Sequence, residues 1–177
     1  MPWGGLATGV LISRLAPPLF GIVSGRVCTG MGADPFELLI DDHRRIQTVL
    51  RDMEQHADGS VAHRGKLFLV LKRTLGKHAM AEEDVVYPML TDTAQRDEHA
   101  RHLYQEHAEM KIRLFELEDL LKRRESWQGK IRPLRELIES HIRDEENREF
   151  PALRQALLES GRRKLAGQIR REEAMVL

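Results

Sequence analysis

Cysteine occurs once, at Cys28, so the chain can form no internal disulfide and no cysteine-rich zinc site. Aromatic residues are scarce, with five Phe, two Tyr and two Trp. The abundance of Leu, Arg and Glu is instead that of long amphipathic helices. Net charge is lacking too: Lys and Arg total 28, and so do Asp and Glu. Long-range attraction would therefore draw in neither nucleic acid nor an anionic membrane, and neither is expected as a partner. Long apolar runs are also missing. LAPPLFGIVSG, between Arg14 and Arg26, has eleven residues and two adjacent prolines. A membrane-spanning helix needs about 20 apolar residues. A cytoplasmic location is expected. The length suits one domain with a sizeable core plus some extra chain.

Residues 1–33 differ from the rest. They hold no acidic residue, two basic ones (Arg14 and Arg26) and seven of the thirteen Gly. They read as an N-terminal extension, either disordered or preceding a true start at Met31, rather than as a targeting leader. From Asp34 the pattern is helical throughout, and no strand pattern competes. Asp34-Pro35 opens a first helix to about His56. A second runs from about Val61 to Tyr87 and stops before Pro88. A third spans about Gln95 to Arg124. A fourth runs from about Lys130 to Phe150, where Pro151 ends or kinks it. A charged fifth helix follows, to about Ala174. The expected architecture is all-α: an up-down-up-down four-helix bundle over residues 34–155, with an additional C-terminal helix over 156–177. That last helix is open to packing on the bundle or to mediating dimerisation, but it mixes charges of both signs, so it reads first as solvated.

What the chain does have is eight His, and a phrase written twice. HAMAEEDVVYP begins at His78 and HIRDEENREFP at His141. Both read H-x-x-x-E-E-x-x-x-aromatic-P. The apolar seams place these residues. Helix one presents Leu39, His43, Ile46 and Leu50; helix two, Leu71, Leu75, His78, Glu82 and Val85. Helix three presents Leu103, His107, Met110 and Leu114; helix four, Leu134, Ile138, His141 and Glu145. Steps of three and four are the spacing of bundle-core stripes. Each seam carries a His where an apolar residue belongs, and two carry a Glu one turn further on.

A His and a Glu four apart lie about 40° apart around a helix, so each pair points together into the core. The four His also fall at one level. His43 lies about 12 Å into its helix, and His78 and His141 lie about 13 Å from the ends of theirs. Burying six unpaired ionisable groups would cost several kcal/mol each. Metal ions offset that cost, because imidazole and carboxylate suit iron, manganese, zinc or copper. Four His and two Glu are too many for one ion and enough for two. A lone His on an apolar face is most often a satisfied core residue; four on four seams are a different observation. Glu83 and Glu146 are expected to face solvent, as are Asp42 and Glu106, although either of the last two could orient a neighbouring imidazole. His56, His63, His99 and His102 are too far along their helices or turned off the face. Tyr104 lies beside the site, as a packing residue or an outer hydrogen-bond donor.

The contexts DDHRRI, HAMAEEDVVYP, QEHAEM and HIRDEENREFP resemble those of the hemerythrin-like (HHE cation-binding) domain family, over about residues 34–155. The resemblance implies two iron ions in an oxo- or hydroxo-bridged di-iron centre. It implies His43, His78, His107 and His141 as terminal ligands, and Glu82 and Glu145 as bridges. The chain departs from oxygen-carrying hemerythrins, which have H-x-x-x-H on helix three and H-x-x-x-x-D on helix four. Leu103 and Lys111 flank His107 at four residues, and the helix-four carboxylate is Glu145. Counting a bridging oxygen, two coordination positions stay open unless a further ligand fills them. That favours a centre reacting with a small oxidant or gas: peroxide, dioxygen or nitric oxide. Catalase-like or nitric-oxide-reactive turnover is one reading. A non-enzymatic oxygen or iron sensor, or an iron store or donor for repair of damaged iron centres, is the alternative. Monomer and homodimer are both compatible with the sequence.

Overall fold

A computed structural model describes residues 34–175 of the chain. The expectation for residues 1–33 lies outside the described residues. The helices are α1 (Glu37–Gln55), α2 (Val61–Ala81), α3 (Tyr87–Asp92), α4 (Asp97–Lys122), α5 (Ile131–Asp144), α6 (Phe150–Ala156) and α7 (Glu159–Met175). Two π-helical turns, Glu82–Val86 and Glu145–Glu149, join α2 to α3 and α5 to α6. The chain thus forms five helical rods, with no strand among the described residues. α1, α2, α4 and α5 close a square: α1 packs on α2 and α5, and α4 packs on the same two.

The local signals work as the residue types require. Phe36 N–H donates to Asp34 Oδ1 (3.1 Å) at the start of α1. Ser60 Oγ accepts from His63 N–H (3.3 Å) at the start of α2. Pro88 was expected to stop its helix and Pro151 to end or kink its own. Neither Pro88 nor Pro151 stops its helix; each sits in the first turn of a continuing one. Proline removes an N–H, and its ring crowds the carbonyl four residues back. A π turn immediately before it widens the helix there. Tyr87 N–H accordingly donates to Glu82 O, and Phe150 N–H to Glu145 O, five residues back in each case. The α5–α6 rod ends at Leu157, whose backbone is extended (φ −90°, ψ 129°).

Two apolar clusters fill the interior. One holds Ile46, Leu50, Met53, Phe68, Leu71, Met110 and Ile138, and is plugged by Trp127. The Trp127 indole donates to Leu117 O (3.1 Å), so its polar atom is satisfied in the core. The other holds Phe36, Leu39, Val86, Tyr87, Leu90 and Phe150. Here α7 packs on the bundle, the alternative to the solvated reading. Its Leu165 and Ile169, four apart on one face, are fully buried in this second cluster. One apolar face of a helix otherwise charged on all sides suffices to hold it on the bundle.

Candidate metal centre

Between the two apolar clusters lie the six polar seam residues. His43, His78, Glu82, His107, His141 and Glu145 are all at most 2% exposed. They come from four rods, and their inward atoms converge. The His43 and His78 rings lie 4.6 Å apart, and the His107 and His141 rings 4.7 Å apart. Glu82 and Glu145 run between the pairs. Glu82 Oε1 lies 3.1 Å from His78 Nε2, and Oε2 lies 3.4 Å from His107 Nε2. Glu145 Oε2 lies 3.3 Å from His43 Nε2 and 3.4 Å from His141 Nε2. Two groups have one ligand atom per residue within 4.8 Å of each other: His43, His78, Glu82 and Glu145, and Glu82, His107 and His141. Glu82 belongs to both.

The arrangement has an approximate two-fold symmetry that exchanges α1 with α4 and α2 with α5. It accounts for the repeated phrase, including the second Glu of each copy. Glu83 and Glu146 do not face solvent as expected; their side chains are 24% and 21% exposed. Glu83 Oε1 accepts from His107 Nδ1 (2.8 Å), and Glu146 Oε1 from His43 Nδ1 (2.9 Å). Each of these carboxylates is held from outside by a cation, Lys111 for Glu83 (2.7 Å) and Arg44 for Glu146 (2.7 Å). Residues five beyond His78 and His141 therefore reach across to imidazoles on neighbouring helices. Glu106 Oε2 accepts from His141 Nδ1 (2.8 Å), in the orienting role open to it. Asp42 does not take that role: it forms an ion pair with Lys77 (2.7 Å). Tyr104 is 39% exposed and donates to Glu83 O (2.7 Å), one layer out from the centre. His56, His63, His99 and His102 are exposed, as expected.

One residue at the heart of the centre escaped the sequence reading. Tyr87, the closing aromatic of the first phrase, is fully buried. Its hydroxyl donates to Glu145 Oε1 (2.9 Å) and lies 3.0 Å from His107 Nε2 and 3.4 Å from His141 Nε2. In an unbroken α-helix a five-residue step turns about 140°, so Tyr87 would point away from Glu82. The π turn brings it back onto the same face. The signal was the proline directly after each aromatic, inside a run whose apolar pattern continues to Leu90. The matching residue of the second phrase is Phe150, which stacks on the His43 ring at 5.9 Å.

The electrostatics are those of a site short of positive charge. Burial pushes the His43 imidazole down, but Glu145 and Glu82 outweigh it and raise its pKa to about 10. His107 is raised to about 9 in the same way, against burial, by Glu82 and Glu83. Burial pushes Glu82 up, and the surrounding imidazoles pull it well below the usual carboxylate range. Burial and the adjacent Glu145 and Glu82 carboxylates hold the Tyr87 phenol well above its ordinary value. His43 Nε2, Glu82 Oε1 and Glu145 Oε2 are buried without any hydrogen-bond partner. Polar atoms in such a position are costly unless something binds them. Imidazole nitrogen with carboxylate oxygen is the donor set of a first-row transition metal.

The chain matches the hemerythrin HHE cation binding domain model over residues 34–153. It belongs to that family. The hemerythrin-like chain is also 24% identical, over 148 residues, to an uncharacterized hemerythrin-like protein of Schizosaccharomyces pombe, covering 79% of this chain and 69% of that one. It is 27% identical over 116 residues to a protein named DNA nickase from Nostoc sp. (strain PCC 7120), covering 66% of this chain. The hemerythrin-like chain spans about a third of the nickase's length, 32%. No solved structure gives a significant match. Among the described residues, no helix is long and apolar enough to cross a membrane.

Proposed function

We propose that the hemerythrin-like bundle binds two iron ions and reacts with a small oxidant or gas: peroxide, dioxygen or nitric oxide. The buried, unpartnered atoms His43 Nε2, Glu82 Oε1 and Glu145 Oε2 carry this reading. His43 and His78 would hold one ion, and His107 and His141 the other, with Glu82 and Glu145 shared between them. Tyr87 supports a correction to the ligand count. Its hydroxyl sits among His107 Nε2, His141 Nε2 and Glu145 Oε1 at 2.9–3.4 Å. An ion held by His107 and His141 would have the phenol oxygen within reach as a further ligand. With Tyr87 as a further ligand, and one bridging oxygen, a single position would stay open instead of two. It would fall to the ion held by His43 and His78. Iron held there would supply an electron source and sink. The chain's own contribution is to fix the ligands, exclude water with two apolar clusters, and keep carboxylates in reach of any proton that moves.

The nicking activity named for the Nostoc relative is not carried over, because this chain spans a third of it and has no excess of basic residues. Iron per chain, measured by elemental analysis on protein from iron-replete cells, tests the reading. About two irons are expected, with consumption of peroxide or reaction with nitric oxide by the loaded protein. Little iron in the parent would sink the proposal. Full iron without reaction would leave the sensor or iron-donor alternative.

A further inference from the structure

The two-fold arrangement is broken at one place. Three of the four imidazoles have an orienting carboxylate on Nδ1: Glu146 for His43, Glu83 for His107 and Glu106 for His141. His78 Nδ1 is buried without a partner. Glu106 directly precedes His107 in the chain, and the equivalent residue directly preceding His43 is Asp42. The symmetry that carries Glu106–His141 onto α1 and α2 therefore carries it onto Asp42–His78. Asp42 is one methylene shorter than Glu106, and its carboxylate is turned to Lys77, in an ion pair without the alignment of a hydrogen bond. Asp42 is 6% exposed, and breaking a buried pair leaves an uncompensated charge, so the contact is not given up freely.

Orienting partners fix the tautomer and direction of a ligating imidazole and raise its basicity. Removing one typically costs about 10–100-fold in metal affinity. The asymmetry is reinforced on the other side. Tyr87 stands beside His107 and His141, whereas its counterpart Phe150 offers His43 only a ring face. The His107/His141 half thus has two anchored imidazoles and a phenol. The His43/His78 half has one anchored imidazole and one whose Nδ1 has no partner.

Resting on the two-ion reading above, we infer that the centre has a retained half and an exchangeable half. The ion at His43/His78 leaves and enters readily, and the shortness of Asp42 sets that lability. The chain can then give up or take up one ion without losing the other.

The test is chelator challenge of the full chain loaded with iron(II) under anaerobic conditions, with iron remaining per chain followed over time. The parent is expected to lose about one iron fast and the other about 10-fold or more slowly. His78→Ala should keep about one iron with the slow behaviour, and His141→Ala should not. Asp42→Glu should slow the fast phase about 10-fold. Glu106→Asp provides the converse without adding volume to a buried position: a shortening that should speed the slow phase by a similar factor. Circular dichroism checks that each variant is folded. A single phase for both ions in the parent overturns the inference. So does retention of iron by His141→Ala but not His78→Ala, or a Glu106→Asp slow phase equal to the parent's. A parent that takes up no iron instead sinks the two-ion reading itself, so the two failures are distinguishable.

Discussion

His107 and His141 each donate an Nδ1 hydrogen bond to a carboxylate and share the Tyr87 hydroxyl, whereas of His43 and His78 only the first is anchored and the nearest aromatic is Phe150. The two halves use the same helical phrase, the same π turn and the same i, i+4 pairing. The difference lies in two side chains of the phrase and its surroundings, Tyr87 against Phe150 and Glu106 against Asp42. A duplicated backbone therefore does not imply duplicated chemistry. One hydroxyl and one methylene are enough to make two neighbouring positions unequal.

The largest effect is expected where the comparison is removed altogether. Glu145→Ala takes away a carboxylate shared by both halves, and elemental analysis should show iron falling from about two per chain to well under one. Tyr87→Phe makes the two phrases alike at the closing aromatic. A phenolate on iron absorbs visible light by charge transfer, so this variant is expected to lose a visible band of the loaded parent while staying folded. A parent spectrum unchanged by the substitution would remove Tyr87 from the ligand set. Glu83→Gln and Glu146→Gln each weaken one orienting contact, and metal titrations should show about 10–100-fold lower affinity.

Proton release sharpens the comparison across the halves, because each contributes one raised imidazole. His43, at about 10, and His107, at about 9, both lie above their ordinary value, so the metal-free chain keeps a proton on each at pH 7. A metal takes the neutral imidazole. Binding at pH 7 should therefore release about three protons, one from each of these imidazoles and one from the Tyr87 phenol, whose pKa is also raised, and affinity should rise about tenfold per proton per pH unit until pH nears 9. Calorimetry in buffers of different ionisation enthalpy reads the proton count, and a buffer-independent heat would refute it. The smallest effect on the centre is expected from the apolar end. Trp127→Ala should lower stability by about 3–5 kcal/mol, seen by denaturant unfolding, while iron per folded chain stays at the parent value.

Much of the molecule was legible because helices repeat. The four seams, the His on each and the Glu one turn beyond followed from steps of three and four, since a residue's face in a regular α-helix depends only on its number. The same rule failed where the helix is not regular. Pro88 read as a stop and Pro151 as a stop or a kink, Glu83 and Glu146 read as facing solvent, and Tyr87 was passed over, because a π turn changes the angle per residue and nothing in the spacing announces it. Leu165 and Ile169 were too few to outweigh the charges of α7, and only the end of the bundle gave them a surface to cover.

By itself, then, the order of residues determined the rods, the apolar stripes and which six polar side chains enter the core, for these depend on local geometry. Which carboxylate meets which imidazole was decided by the tertiary structure alone. Glu146 reaches His43 across 103 positions of chain and Tyr87 reaches Glu145 across 58. Whether Asp42 spends its charge on Lys77 or on His78 depends on the width of one methylene and the spacing of two packed helices, a distance that no run of sequence contains.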